Sequence, residues 1–168
     1  MGFFDRFKKK EEAPASAGPF MLGADAKGKV VPMEEIPDEV FAQGILGKCC
    51  GIEPAEGTVY APVDGEITQA PDTLHALGLM STDGVEVLIH VGVDTVEMKG
   101  QGFAATVKLG DKVKKGQKLL TMDLKAIADA GHPAVVITVV TNTDDFADVS
   151  TVASGEVNPG DDLIQVSK

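Results

Sequence analysis

Tryptophan is absent from this 168-residue chain, and tyrosine occurs only once. A core without large aromatics has to be built from aliphatic side chains. Frequent valine and 19 glycines point to short strands joined by tight turns. The two cysteines are neighbours, Cys49 and Cys50, and a bond between adjacent residues closes only a strained small ring. A disulfide framework is therefore excluded, and free thiols in a reducing compartment are expected. Basic residues are outnumbered, 15 Lys and Arg against 26 Asp and Glu, for a formal net charge of −11. That balance argues against nucleic acid, whose phosphates need clustered cations, and suits neutral or basic partners. No apolar run approaches the ~20 residues of a membrane span. The start lacks the basic, long apolar and small-residue segments of a secretory leader. A cytoplasmic protein is expected, with one domain and a single core.

Residues 1–19, "MGFFDRFKKKEEAPASAGP", differ in composition from the rest. Phe3, Phe4 and Phe7 share one face of a helix, with Arg6, Lys8, Lys9 and Lys10 close by. This segment reads either as a peripheral contact with an anionic membrane through residues 1–10 or as a frayed charged tail. "EEAPASAGP" reads as a flexible linker. Residues 20–168 form the expected domain.

From Phe20 onward, short apolar runs alternate with turns. Candidate strands are 28–33, 51–54, 58–61, 65–70, 77–81, 86–92, 103–107, 118–123, 135–140 and 162–166. Their spacing suits an all-β fold, an antiparallel sandwich or compact barrel. Helices are expected over 37–46 and 123–131, the second with Asp123 at its start and Gly131 at its end. A small unit recurs as "AKGKV" (26–30), "VDGEI" (63–67) and "ASGEV" (153–157), a glycine turn before a β-branched residue, which reads either as an echo of a duplicated hairpin or as the ordinary look of glycine turns.

One strand carries an odd residue. In "GVEVLIHVGVDTVEMKG" (84–100), Val85, Val87, Ile89, Val91 and Val93 recur every second position. The opposite face then holds Leu88, His90, Gly92 and Asp94. His75 lies fifteen residues earlier, across the turn "STDG". A hairpin about that turn would bring His75 and His90 together. From the residues alone, the pair is either a shared site or two unrelated surface histidines. Leu88 gives His90 an apolar surround, Gly92 lets a partner approach, and Asp94 can orient an imidazole. His132, next to a proline beyond a helix end, is assigned no chemistry.

"TLHALGLMSTDGVEVLIHVGVDTVEMKGQGF" resembles the signature of the glucose-type IIA components of the bacterial sugar phosphotransferase system. Thr73, His75, Gly84, His90, Gly92, Asp94, Thr95, Gly100, Gly102 and Phe103 fit that pattern. The similarity extends through "IPDEVFAQGILG", "VKKGQKLLTMDL" and "TNTDDF". It implies an antiparallel β-sandwich with short surface helices. It implies that His90 accepts a phosphoryl group from the carrier HPr and passes it to a cysteine of a IIB domain of a sugar permease. His75 would steady that group, with Thr73 behind it. Val40, Phe41, Ile45 and Leu88 would form an apolar docking rim, and Asp38 and Asp94 would meet basic side chains of HPr. Regulatory protein targets are implied as well. No cofactor is required, although His75 and His90 could share a zinc ion with a carboxylate from a partner. The chain departs from the pattern at "GADAKG", at Cys49 and Cys50, and at Pro71 and Leu74, without losing a proposed catalytic group.

Three other readings compete. His90 and Asp94 have the H-x-x-x-D spacing of zinc endopeptidases of a related β fold, but no later H-x-H supplies the third ligand. "APVDGEI" and "VEMKG" look like pieces of a biotin or lipoyl carrier, with Lys99 as the attachment point, but lack that domain's arrangement. A non-catalytic binding module is the third.

Overall fold

Alternation along residues 86–91 has its expected result. In β7 (Glu86–Val91), Val87, Ile89 and Val91 are buried, whereas Glu86 is exposed and Leu88 and His90 are half-buried. The strand β11 (Val136–Val140) is buried at every position, as a central strand covered on both faces must be. The structure, a computed structural model, describes residues 19–168. The amphipathic segment 1–10 and nearly all of the linker lie outside the described residues.

Fourteen strands run through the described residues, in three antiparallel sheets. β1 (Phe20–Gly23), β14 (Asp162–Ser167) and β12 (Asp148–Thr151) form one of them. β4 (Thr58–Tyr60), β10 (Lys118–Met122) and β8 (Phe103–Ala105) form the second. The third has eight strands, in the order β13 (Glu156–Val157), β2 (Gly28–Val31), β3 (Lys48–Pro54), β11, β7, β6 (Ala76–Ser81), β5 (Gly65–Gln69) and β9 (Lys112–Val113). The main core lies among all three, drawing Leu22 and Ile164 from the first, Val59 and Leu120 from the second, and Ile52, Leu79 and Ile89 from the third. This is the expected all-β sandwich. The recurring glycine unit also has a structural meaning, because all three copies feed strands of the large sheet, and two of those strands, β2 and β13, pair with each other.

The large sheet has a second, smaller core on its other face. Cys49, Val135, Ile137 and Val139 line it, and Ile36 and Phe41 cover it, with Met33 and Leu88 packed alongside. β3 therefore sends its two thiols in opposite directions, Cys49 into the small core and Cys50 into the main one. Both are buried and free, and burial pushes their pKa values up to about 11 and about 12.

The helices are shorter than expected. Of residues 37–46 only α1 (Glu39–Ala42) is helical, because Gly44 turns the chain left-handed at φ 69°. α2 (Leu124–Asp129) has the expected signals at both ends: Asp123 accepts a hydrogen bond from the Ala126 amide at 3.1 Å, and Gly131 adopts φ 86°. Strand 28–33 stops at Val31, since Pro32 has no amide to donate and a 3₁₀ turn, Met33–Glu35, follows. The "GADAKG" turn between β1 and β2 buries Asp25 completely. Its Oδ2 accepts a hydrogen bond from Thr138 Oγ1 at 2.5 Å, and its Oδ1 has no partner.

Candidate functional site

His90 and His75 meet through the hairpin of β6 and β7. Ala76 pairs with His90, and the His75 carbonyl accepts a hydrogen bond from the Val91 amide at 2.7 Å. The two imidazole centroids are 5.1 Å apart, edge-on at 79°. On its other flanking strand His90 pairs with Ile137, so the ring stands at the margin of the small outer core.

Each imidazole is fixed by its Nδ1. His90 Nδ1 lies 2.8 Å from the Gly92 carbonyl, which can only accept, so Nδ1 carries the proton and donates. Its Nε2 is then an unprotonated lone pair. His75 Nδ1 lies 2.7 Å from Thr73 Oγ1. When the hydroxyl donates, His75 Nε2 carries a proton that can be offered to an anion. Burial lowers the pKa of His90, against opposing effects from the Gly92 bond and the charges of Asp38 and Asp94. Burial, then the neighbouring His90, lowers that of His75. Both rings are therefore neutral at pH 7, as a nucleophile and a donor of this kind require.

The backbone around the pair is unusual. Gly92 has φ 78°, and a Cβ there would meet the Thr95 methyl and stand 2.9 Å from the Pro133 carbonyl. Thr95, fully buried, donates to the Val91 carbonyl and locks the turn that aims the Gly92 carbonyl at His90. Leu74, between Thr73 and His75, is left-handed at φ 59°, and Asp94 at φ 60°. Non-glycine residues reach this region rarely, and such residues cluster at functional sites.

The rim residues differ in placement. Val40 and Ile45 are exposed, at 41% and 64%. Leu88 is half-buried against the small core. Phe41 departs from the other three: only 5% of it is exposed, and its ring centroid lies 5.0 Å from that of His90. The reason is the outer core, which α1 roofs with this side chain. Asp38 caps α1, with Oδ1 accepting from the Val40 amide at 2.9 Å, and Asp94 is exposed. Leu46 and Val96 are exposed apolar residues as well, at 42% and 47%. Leu46 lies in a bend and Val96 in the short 3₁₀ helix Thr95–Met98, where no periodicity signals exposure. Among the described residues, no three His, Cys, Asp or Glu side chains converge to hold a metal ion. The pair offers two nitrogens and lacks the third ligand a peptidase zinc needs.

The family model of the phosphoenolpyruvate-dependent sugar phosphotransferase system, EIIA 1, matches residues 21–146. The chain belongs to this EIIA family. It is similar to the glucose-specific EIIA component of Oceanobacillus iheyensis, 38% identical over 162 residues that cover 96% of each chain. It is also similar to the beta-glucoside-specific EIIBCA component of Bacillus subtilis, 41% identical over 147 residues that cover 88% of this chain and 24% of that one. Among solved structures, glucose permease IIA from Mycoplasma capricolum superposes with a TM-score of 0.79 at 33% identity, covering 88% of this chain and 96% of that one. An EIIA component is a phosphotransferase, a carrier that works between HPr and a IIB domain. The EIIA assignment replaces the peptidase, biotin-carrier and simple binding-module readings. No helix among the described residues is long and apolar enough to cross a membrane.

Proposed function

We propose that residues 20–168 are the carrier unit and that His90 is its phosphoryl acceptor for glucose-type sugar uptake. The observation that carries this is the bond from His90 Nδ1 to the Gly92 carbonyl, which leaves Nε2 free beside His75. Nε2 attacks the phosphorus of phospho-HPr. A new P–N bond forms as the donor's P–N bond breaks, and the Gly92 carbonyl stabilises the positive charge that spreads over the ring. His75 donates to a phosphoryl oxygen, with Thr73 fixing its tautomer. A cysteine thiolate of the IIB domain then takes the group in the reverse sense. Phosphoryl transfer needs alignment and charge stabilisation more than covalent machinery, and this shallow site provides both.

Val40, Ile45 and Leu88 form the docking rim, and Asp38 and Asp94 face the basic side chains of HPr. Regulatory proteins would use the same face, and a zinc ion held by His75 and His90 would need its remaining ligands from such a partner. The protein works in the cytoplasm, with residues 1–10 available for contact with the inner membrane face. The test is incubation with radiolabelled phosphoenolpyruvate, enzyme I and HPr. Acid-labile, alkali-stable label that disappears in His90→Gln supports the assignment. Undiminished labelling of that variant rejects it.

A further inference from the structure

Phe41 is an aromatic residue that the site contains but the transfer chemistry does not use. It stands on a helix of only four residues, far too short to hold itself together in water. Its position therefore comes from what it is tied to. Besides the backbone bonds of the turn, two ties run through side chains. Asp38 caps the first turn through the Val40 amide. Cys49 Sγ, from the facing strand β3, lies 3.3 Å from the Phe41 carbonyl and donates to it. Burial holds Cys49 in the thiol form, so that donor is permanent at neutral pH.

The Phe41 ring meets the His90 imidazole at 5.0 Å and 53°, within the range of tilted aromatic pairs. His75 meets the same imidazole at 5.1 Å. His90 thus has two ring neighbours, one polar and one apolar. With Nδ1 tied to Gly92, they leave the imidazole little freedom to swing. We propose that Phe41 is a positioning residue for His90, held in place by Cys49, and that its main work is inside the free protein instead of at the partner interface. Residues facing the imidazole are Gly92, Asp38, Asp94, His75 and Phe41. Of these, Phe41 is the one apolar side chain.

The proposal rests on His90 as the phosphoryl acceptor, and its test separates the two claims. NMR titration of the His90 imidazole in the free protein reads positioning without any transfer. In Phe41→Ala the imidazole pKa is expected to rise by about half a unit or more, because water reaches the ring. The single-turnover labelling rate at saturating phospho-HPr is expected to fall roughly tenfold or more. Phe41→Leu keeps most of the apolar volume and the fold if the alanine variant unfolds, but loses the ring against His90, and shifts both quantities in the same direction by less. Cys49→Val, which removes the donor, gives a smaller shift, and Cys49→Ser, which keeps one, restores it. A folded Phe41 variant with an unmoved imidazole pKa, or with a loss confined to KM, overturns the proposal and makes Phe41 a docking residue only. If the wild-type protein is not labelled on His90, the acceptor assignment fails, and the titration still decides what Phe41 does to the ring.

Discussion

Asp25 sets the sharpest test of the physical account. Its carboxyl is fully buried, one oxygen bonded to Thr138 and the other without a partner. Burial raises its pKa from 3.8 to about 7, despite the Thr138 hydroxyl, which lowers it. In the unfolded chain the group ionises near 3.8. Between these values the folded protein holds a proton that the unfolded chain has lost. Stability therefore falls as pH rises through that window, by about 1.4 kcal/mol per pH unit. The whole effect is on the order of 4 kcal/mol, fully present below the lower value and gone above about pH 7. His75 and His90 act in the opposite direction. Their folded pKa values are lowered, so their contribution is lost as pH falls below 6.5.

Comparison with Asp25→Asn cancels the histidines, which both proteins share. Asparagine keeps an acceptor for Thr138 but puts an amide where Oδ1 has no partner, a fixed penalty of about 1–3 kcal/mol at every pH. Urea unfolding followed by circular dichroism, from about pH 4 to about pH 8, gives the two stability curves. The variant's disadvantage is expected to shrink or reverse by about 4 kcal/mol across that range. Parallel curves would refute the reasoning and mean that Asp25 ionises in the fold as it does in water.

Other expected outcomes follow from the site. His75→Gln takes up phosphate but hands it to a IIB domain at least tenfold more slowly, and normal onward transfer would remove His75 from the mechanism. Gly92→Ala forces a side chain into a left-handed turn against Thr95 and Pro133, and loses about 1–3 kcal/mol together with the labelling rate; melting curves and labelling read both. Cys49 and Cys50 leave a thiol-reactive dye uncoloured in the native protein and react fully in denaturant; rapid native reaction would show that the two cores are open.

Legibility in the sequence followed periodicity. β7 could be read because one face is aliphatic at every second residue, and the histidine pair followed from counting across the turn to β6. α2 could be read from its cap and its terminal glycine. β1, β9, β12 and β13 escaped, two of them being only two residues long and the others lacking clear alternation. The burial of Phe41 escaped for a different reason. Nothing local says that the outer face of a sheet is covered, since the cover comes from a distant helix and the floor from β3 and β11. Asp25 escaped in the same way. An aspartate among Gly, Ala and Lys reads as a solvated turn residue, and only Thr138, 113 positions away, reveals that it lies inside.

The pairing of the first strand with the last has a practical side. Phe20 lies opposite Val166, so the chain enters and leaves the domain at one corner. None of Thr73, His75, His90 or Gly92 belongs to either strand. A unit of this outline can be spliced into a larger polypeptide through a single short tether, or have its ends joined and be reopened elsewhere, while its working face keeps its shape. Such a joint would lie away from the histidine pair, because both ends meet on the β1–β14 edge.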